Sequence, residues 1–374
     1  MLKISDILKK AKKKPAEQQS ELSRPKPQPL PQQAEQKKIK EEAPAQRIPA
    51  QPRPAAPEKK TKQPQAYPDK KFSSPALDSE YISDYYLKSL SLSKEIMGPL
   101  VSDEEGLIKS VEEAVKFFID ILQKDETVLL RLFYHEYFNE DGHLYQHSVN
   151  VCILSVYLGM ALRYSYAVLQ QIGLAAFLHD VGLMKFETLV NLPRLLTSSE
   201  QHEIKKHPVV AKDFLKKFTQ YLNFEIIDII QQEHERINGA GYPYGLKKPE
   251  VSEAAQLIGI ADIYEAMLHS RPYRNKLSSF EVIREILKSK ELFDYKFVKV
   301  LIDTVGVFPL DAFVRLNTRE VGVIVKQNPR MPLRPVIAIT HNMQGQRLSE
   351  EKQIDLSANF SVYIQDSIAG SELK

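Results

Sequence analysis

The chain has 374 residues, 43% of them apolar and 26% charged, with a single cysteine, Cys152, and no tryptophan. That length suits about two globular domains, while one thiol cannot close an intramolecular disulfide, which excludes a disulfide-stapled secreted scaffold and points to a reducing, cytoplasmic compartment. The net charge of +3 divides unevenly: residues 1–71 hold 18 basic and 8 acidic groups, and the rest hold 33 and 40, so a basic start precedes an acidic body.

In chain order, the first 14 residues place Leu2, Ile4, Ile7 and Leu8 before Lys9, Lys10, Lys12, Lys13 and Lys14. This pattern fits a short basic amphipathic helix able to dock on a protein partner or an anionic membrane, but so short a helix is marginal alone and a frayed, solubilising end is the simpler reading. It lacks the apolar run and small-residue cleavage site of a signal peptide. Residues 1–71 contain 12 of the 23 prolines, 10 glutamines and no glycine. Such composition buries too little apolar surface to offset the entropy of ordering, so residues 1–76 are expected to be a disordered tail. Its charges come without interleaved aromatics apart from Tyr67, which argues against a nucleic-acid polymer as partner.

From residue 77 the pattern becomes helical. Asp103 precedes Leu107, Ile108, Val111, Ala114, Val115, Phe118 and Ile119 at i, i+3, i+4 spacing, and similar periodicity covers 149–162, 167–178, 200–218, 224–233, 254–267 and 280–288. The uncharged runs 148–162 and 164–178 have 15 residues each. A membrane span needs roughly 20, so none is predicted. After Phe313 come the short β-branched runs 321–325, 335–340 and 360–364, separated by turn residues, which read as a small β-meander. The predicted organisation is a tail (1–76), an N-terminal helical region (77–135), an all-α domain (136–312) and a small β domain (313–374).

Chemistry concentrates in the all-α part. His143 and His147 stand four apart, so in one helix they share a face; His179-Asp180 ends an apolar helix; His207 precedes Pro208; Glu233-His234-Glu235 closes another helix; Asp262 lies within an apolar helix. Imidazole and carboxylate together suit first-row divalent metals, and a helical bundle can aim such groups inward from several helices. A carboxylate beside a ligating histidine can bridge two ions, which then flank an in-line attack on phosphorus. Each piece alone is weak, since a lone histidine on an apolar face is usually a satisfied core residue. His202, His269 and His341 are read that way, and Cys152 as a small core filler.

The order His179-Asp180, His207-Pro208, Glu233-His234, Asn238-Gly-Ala-Gly241-Tyr242-Pro243-Tyr-Gly245, Asp262 and Arg271-Pro-Tyr-Arg274 resembles the HD-GYP family, a branch of the HD metal-dependent phosphohydrolases, over about residues 143–310. Residues 313–365 also look like the β tail that follows some HD-GYP domains. The resemblance implies a mainly α fold, an HD-type helical bundle, with two divalent transition-metal ions, iron or manganese. It implies hydrolysis of the bacterial second messenger cyclic di-GMP to pGpG and onward to GMP by a metal-bridging hydroxide, in a signalling protein able to form a homodimer. By position, His147, His179, Asp180 and Asp262 would hold one metal, and Asp180 would bridge to a second held by His207, Glu233 and His234, with His143 placed where some members hold a third. Gly241, Tyr242 and Pro243 of the loop would meet the nucleotide, and Arg271 and Arg274 would pair with phosphate oxygens.

Three positions depart from the pattern. Glu233 replaces the commoner second histidine, and Asn238 replaces a common acid. Leu183 replaces a lysine that would face phosphate, and loss of one such electrostatic donor can cost about 10²–10³ in rate. Lys185, two residues on, is the nearest cation for that catalytic task beside Asp180, although two residues turn a side chain well away. An alternative is therefore a catalytically weakened HD-GYP module that binds cyclic di-GMP or a signalling partner.

Overall fold

The computed structural model describes residues 79–98, 103–135, 137, 143–328 and 331–368; the readings made for the tail fall outside them. Helices α1 (Ser79–Ile96), α2 (Glu104–Lys124) and α3 (Glu126–Tyr134) form the first layer. Asp103 caps α2 by accepting from the Gly106 N–H at 2.9 Å, satisfying one of the orphan donors of the first turn. The residues picked out by periodicity, Leu107 to Ile119, are all buried in α2, together with Ile121 and Leu122.

Helix α4 (His143–Ala161) lies at the centre, packed on α1, α2, α3, on α5 (Tyr166–Leu178) and on the later helices α10 (Glu253–Leu268) and α12 (Tyr295–Val305). From Gln146 to Val156 it is buried all round, the expected state of a helix that is apolar on every face. Each fully buried Ile, Leu or Phe contributes about 1.5–3 kcal/mol of transfer free energy, so α4 and α5 are the rigid platform for whatever they carry. Helix α5 leads through a 3₁₀ turn (Val181–Phe186) into the short α6 (Glu187–Val190). This continuous helical stretch, 166–190, has the length and mean hydropathy, 1.3, of a span, but 72% of its most apolar window is buried inside the protein, as in a core helix.

The single helix expected over 200–218 is broken: α7 (Ser198–Ile204) and α8 (His207–Leu215) are separated at Lys205 and Lys206. Pro208 has no N–H to donate and fits only in the first turn of a helix, so a new helix starts there. Helices α9 (Phe224–Gln232), α10, α11 (Ser279–Lys288) and α12 complete the bundle, which ends at Gly306, φ +72°.

The sheet has five antiparallel strands in the order β4-β3-β2-β1-β5. β1 (Phe313–Leu316), β2 (Val321–Lys326), β3 (Val336–His341) and β4 (Arg347–Asp355) form a meander, and β5 (Ile364–Ile368) returns to the free edge of β1. The run 360–364 is not a strand until its last residue. Asn317 holds it instead, donating to the Ser361 carbonyl at 3.0 Å and accepting from the Tyr363 N–H at 2.9 Å. Val314, Leu316, Ile324, Ile337 and Ile339 form the apolar side of the sheet. Arg131 of α3 pairs with Asp311 at 2.8 Å, tying the entry of the sheet to the helices.

Candidate metal centre

Five helix segments bring the predicted donors together. His147 sits one turn into α4; His179 and Asp180 follow the last turn of α5; His207 opens α8; Glu233 and His234 follow α9; Asp262 lies within α10. All are buried except His234, which is half-buried. Ending α5 and α9 at this point frees consecutive residues to turn inward, whereas a continuing helix would rotate neighbours about 100° apart.

The cluster has two halves joined by Asp180. One carboxylate oxygen lies 3.4 Å from His147 Nε2 and 3.3 Å from His179 Nε2. The other lies 3.5 Å from His207 Nε2. His147 Nε2 is also 3.1 Å from an Asp262 oxygen, and His207 Nε2 is 3.0 Å from His234 Nε2. His179 and His207 donate from Nδ1 to the carbonyls of Ala176 at 2.8 Å and Ile204 at 2.9 Å, which leaves Nε2 of each as the atom turned to the cluster. Close packing sets this geometry: a Cβ on Gly182 would stand 2.0 Å from the His207 carbonyl oxygen, so only glycine lets the Asp180 turn lie against α8.

Two of these groups make no hydrogen bond from their cluster-facing atoms among the described residues. His179 Nε2 and both oxygens of Glu233 are buried without a hydrogen-bond partner, although Glu233 Oε1 is 2.6 Å from His234 Nε2 in a geometry that makes no hydrogen bond. Buried polar atoms are rarely left so, and several together, facing other ligand-type atoms, fit a cation. Three triads, His147 with His179 and Asp262, Asp180 with His207 and His234, and Glu233 with His234 and Asp262, each offer donor atoms within 4.8 Å of one another. Mixed imidazole and carboxylate donors suit divalent first-row metals.

Burial disfavours the charged forms here, and the neighbours decide the outcome. Burial would lower His147, but the Glu265 carboxylate overrides it and raises its pKa to about 9. Burial is likewise overridden at His179, where Asp180 raises it to about 10. Against burial, His179 holds Asp180 well below the usual carboxylate range and His147 holds Asp262 at about 2. Burial together with the neighbouring His234 pushes His207 down to about 4. Imidazolium protons thus occupy positions from which a divalent cation could displace them.

Glu265, which periodicity alone does not single out, holds the cluster from behind. Its carboxylate, 1% exposed, pairs with His147 Nδ1, with His269 Nδ1 at 2.9 Å and with Arg271 at 3.3 Å. It also accepts from Asn150 at 3.0 Å, and Asn150 accepts from Tyr86 of α1 at 2.8 Å. A carboxylate on the far nitrogen of a ligating histidine fixes its tautomer and ring orientation. The only sequence signal was its place one turn after Asp262.

Glu235 shapes the glycine-rich loop, accepting from the backbone N–H groups of Tyr244, Gly245 and Leu246 at 2.7, 3.1 and 3.0 Å. A Cβ at Gly241 would come within 2.4 Å of the Arg236 nitrogen and the Glu235 Cα, so the loop backbone lies directly on residues 235–236. Tyr242, followed by a cis bond to Pro243, is thereby stacked on His234, ring centroids 4.6 Å apart and 22° from parallel.

Other expected residues go elsewhere. Arg274 donates to the carbonyls of Ala266, Met267 and Asn275 at 2.6, 3.2 and 2.9 Å, capping the end of α10 and leaving no fork for phosphate. Arg271 is directed inward to Glu265, with its side chain 8% exposed. Lys185 is exposed on the 3₁₀ turn, and Leu183 is buried. His143, one turn before His147, is half-buried and belongs to none of the three triads. Asn238 accepts from the Ala240 N–H at 3.0 Å and so serves the loop. His269 is a satisfied core residue, as expected, donating to or accepting around Glu265 and meeting the Phe133 carbonyl at 3.0 Å.

Residues 131–296 match the family described as HD domain, and residues 313–374 match the KOW domain associated with HD domain. The matched segment is thus similar to the HD family, and its relatives include cyclic di-GMP phosphodiesterases. A cyclic di-GMP phosphodiesterase of Pseudomonas aeruginosa, PA4108, is 30% identical over 58% of this chain and 52% of its own. PdeB of Borreliella burgdorferi, also a cyclic di-GMP phosphodiesterase, is 29% identical over 50% of each. A cyclic di-GMP phosphodiesterase of Thermotoga maritima is 30% identical over 48% of each. The chain spans about half the length of these curated relatives.

Proposed function

We propose that this chain is a metal-dependent phosphodiesterase that hydrolyses cyclic di-GMP to linear pGpG and onward to GMP. The observation that carries the reading is the pair of buried groups without a hydrogen bond, His179 Nε2 and the Glu233 carboxylate, within a cluster built on an HD-GYP motif order. His147, His179 and Asp262 would hold one cation and His207, Glu233 and His234 a second, iron or manganese, with one oxygen of Asp180 toward each half. Such cations supply Lewis acidity toward a phosphoryl oxygen and render water acidic enough to attack at neutral pH. The protein's own part is positional. Glu265 keeps the His147 ring aimed inward, Glu235 holds the glycine-rich loop, and Tyr242 walls the His207–His234 side, where it can meet a base or ribose.

The test is metal analysis of the purified chain followed by product analysis with cyclic di-GMP, using Asp180→Ala as control. Turnover that disappears in the variant supports the reading, and no turnover with iron, manganese, cobalt or nickel rejects it. The second reading, a nucleotide-binding module with slow chemistry, is favoured by the buried Leu183 and by the Arg274 guanidinium being spent on carbonyls. Calorimetric binding without product is its signature.

A further inference from the structure

Of the cations expected to meet phosphate, Arg271 faces Glu265 and Arg274 caps α10; Lys185 is exposed on the 3₁₀ turn, and position 183 is leucine. Arg236 donates to the carbonyls of Glu233 and Glu235, both at 2.9 Å, and Lys206 pairs with Glu203 at 2.6 Å. A substrate with two phosphodiesters needs compensation for both charges, and the cluster can neutralise only the one placed at it.

Lys205 stands apart from this inventory. It closes α7, two residues before His207, and is exposed. Its ammonium lies over the Tyr242 ring, 5.5 Å from the centroid. That ring is in turn 4.6 Å from the His234 imidazole and 6.1 Å from that of His207. Among the described residues Lys205 makes no ion pair with a carboxylate. It stands in the break between α7 and α8, just before His207-Pro208. The aromatic contact orders a long side chain without neutralising its charge, leaving the ammonium available to an anion one ring's width from the cluster.

We propose that Lys205 binds the phosphate that is not being cleaved, and so makes the site selective for cyclic dinucleotides over simple phosphodiesters. This rests on the phosphodiesterase reading above. It places the recognition cation on the α7–α8 turn instead of on the turn after Asp180.

The experiment compares the wild-type chain with Lys205→Ala and Lys205→Arg, all loaded with manganese, on cyclic di-GMP and on bis(p-nitrophenyl) phosphate, which has one phosphate. Lys205→Ala should raise KM for cyclic di-GMP about tenfold with kcat changed less than about threefold, the size expected for one charge-assisted contact. Hydrolysis of bis(p-nitrophenyl) phosphate and metal content should stay unchanged, and Lys205→Arg should restore KM to within about threefold, since it keeps the charge. Calorimetric binding of cyclic di-GMP should weaken by the same tenfold factor in Lys205→Ala, a readout independent of turnover. Wild-type turnover with an unchanged KM and affinity in Lys205→Ala overturns the assignment while leaving the phosphodiesterase reading intact. Equal losses on both substrates also overturn it, because Lys205 would then act on the cluster. A wild-type chain that binds cyclic di-GMP without cleaving it rejects the phosphodiesterase reading alone. One that neither binds nor cleaves it rejects both.

Discussion

Replacing Glu233 with glutamine separates a ligand from a structural residue. The carboxylate is fully buried, neither oxygen has a hydrogen bond, and one lies 2.6 Å from His234 Nε2. A buried anion without hydrogen bonds does not stabilise a fold, so the metal-free Glu233→Gln chain should melt at the wild-type temperature or above it. With metal present the order reverses. At a free metal concentration of about 1,000 Kd, binding stabilises the wild type by about 4.1 kcal/mol, and a variant binding about 100-fold more weakly keeps only about 1.4 kcal/mol. The lost stabilisation of about 2.7 kcal/mol corresponds to a melting shift smaller by about 5–11 °C for a body of this size. Thermal melts of both chains with and without manganese make the measurement. A metal-free variant that melts several degrees lower, with the metal-induced shift undiminished, would refute the assignment and make Glu233 a structural acid.

Two further substitutions probe the surroundings of the cluster. Glu265→Gln removes the charge that pairs with His147, His269 and Arg271 and strands buried cations. It should cost about 3 kcal/mol, lower the metal-free melting temperature by roughly 6–12 °C and weaken metal affinity about 10–100-fold; an unchanged melt would show that the network carries no net energy. Gly182→Ala would set a Cβ 2.0 Å from the His207 carbonyl oxygen and 2.7 Å from the Ala211 nitrogen. The turn must then move off α8, at about 1–3 kcal/mol, and full metal content after dialysis together with a wild-type melt would contradict the packing argument.

Much of the molecule was legible before any coordinates. Helix periodicity located α2, α4, α5, α9, α10 and α11 because each buries a stripe or its whole surface in one core, and the motif order named the donors His147, His179, Asp180, His207, Glu233, His234 and Asp262. Strands β1 and β4 escaped notice for physical reasons: β1 has four residues, and β4 is the charged run Arg-Leu-Ser-Glu-Glu-Lys-Gln-Ile-Asp, whose pairing with β3 is a property of the backbone ladder.

What residue order alone determined, then, was the set of groups able to hold a cation and the helices that carry them, since both depend on side-chain type and spacing within one segment. Only the tertiary structure decided which cations face the cluster. Whether an arginine meets phosphate, a buried glutamate or the carbonyls at the end of its own helix depends on where remote segments come to rest. Arg271 beside His147, 124 residues away in the chain, is a contact that no local pattern encodes.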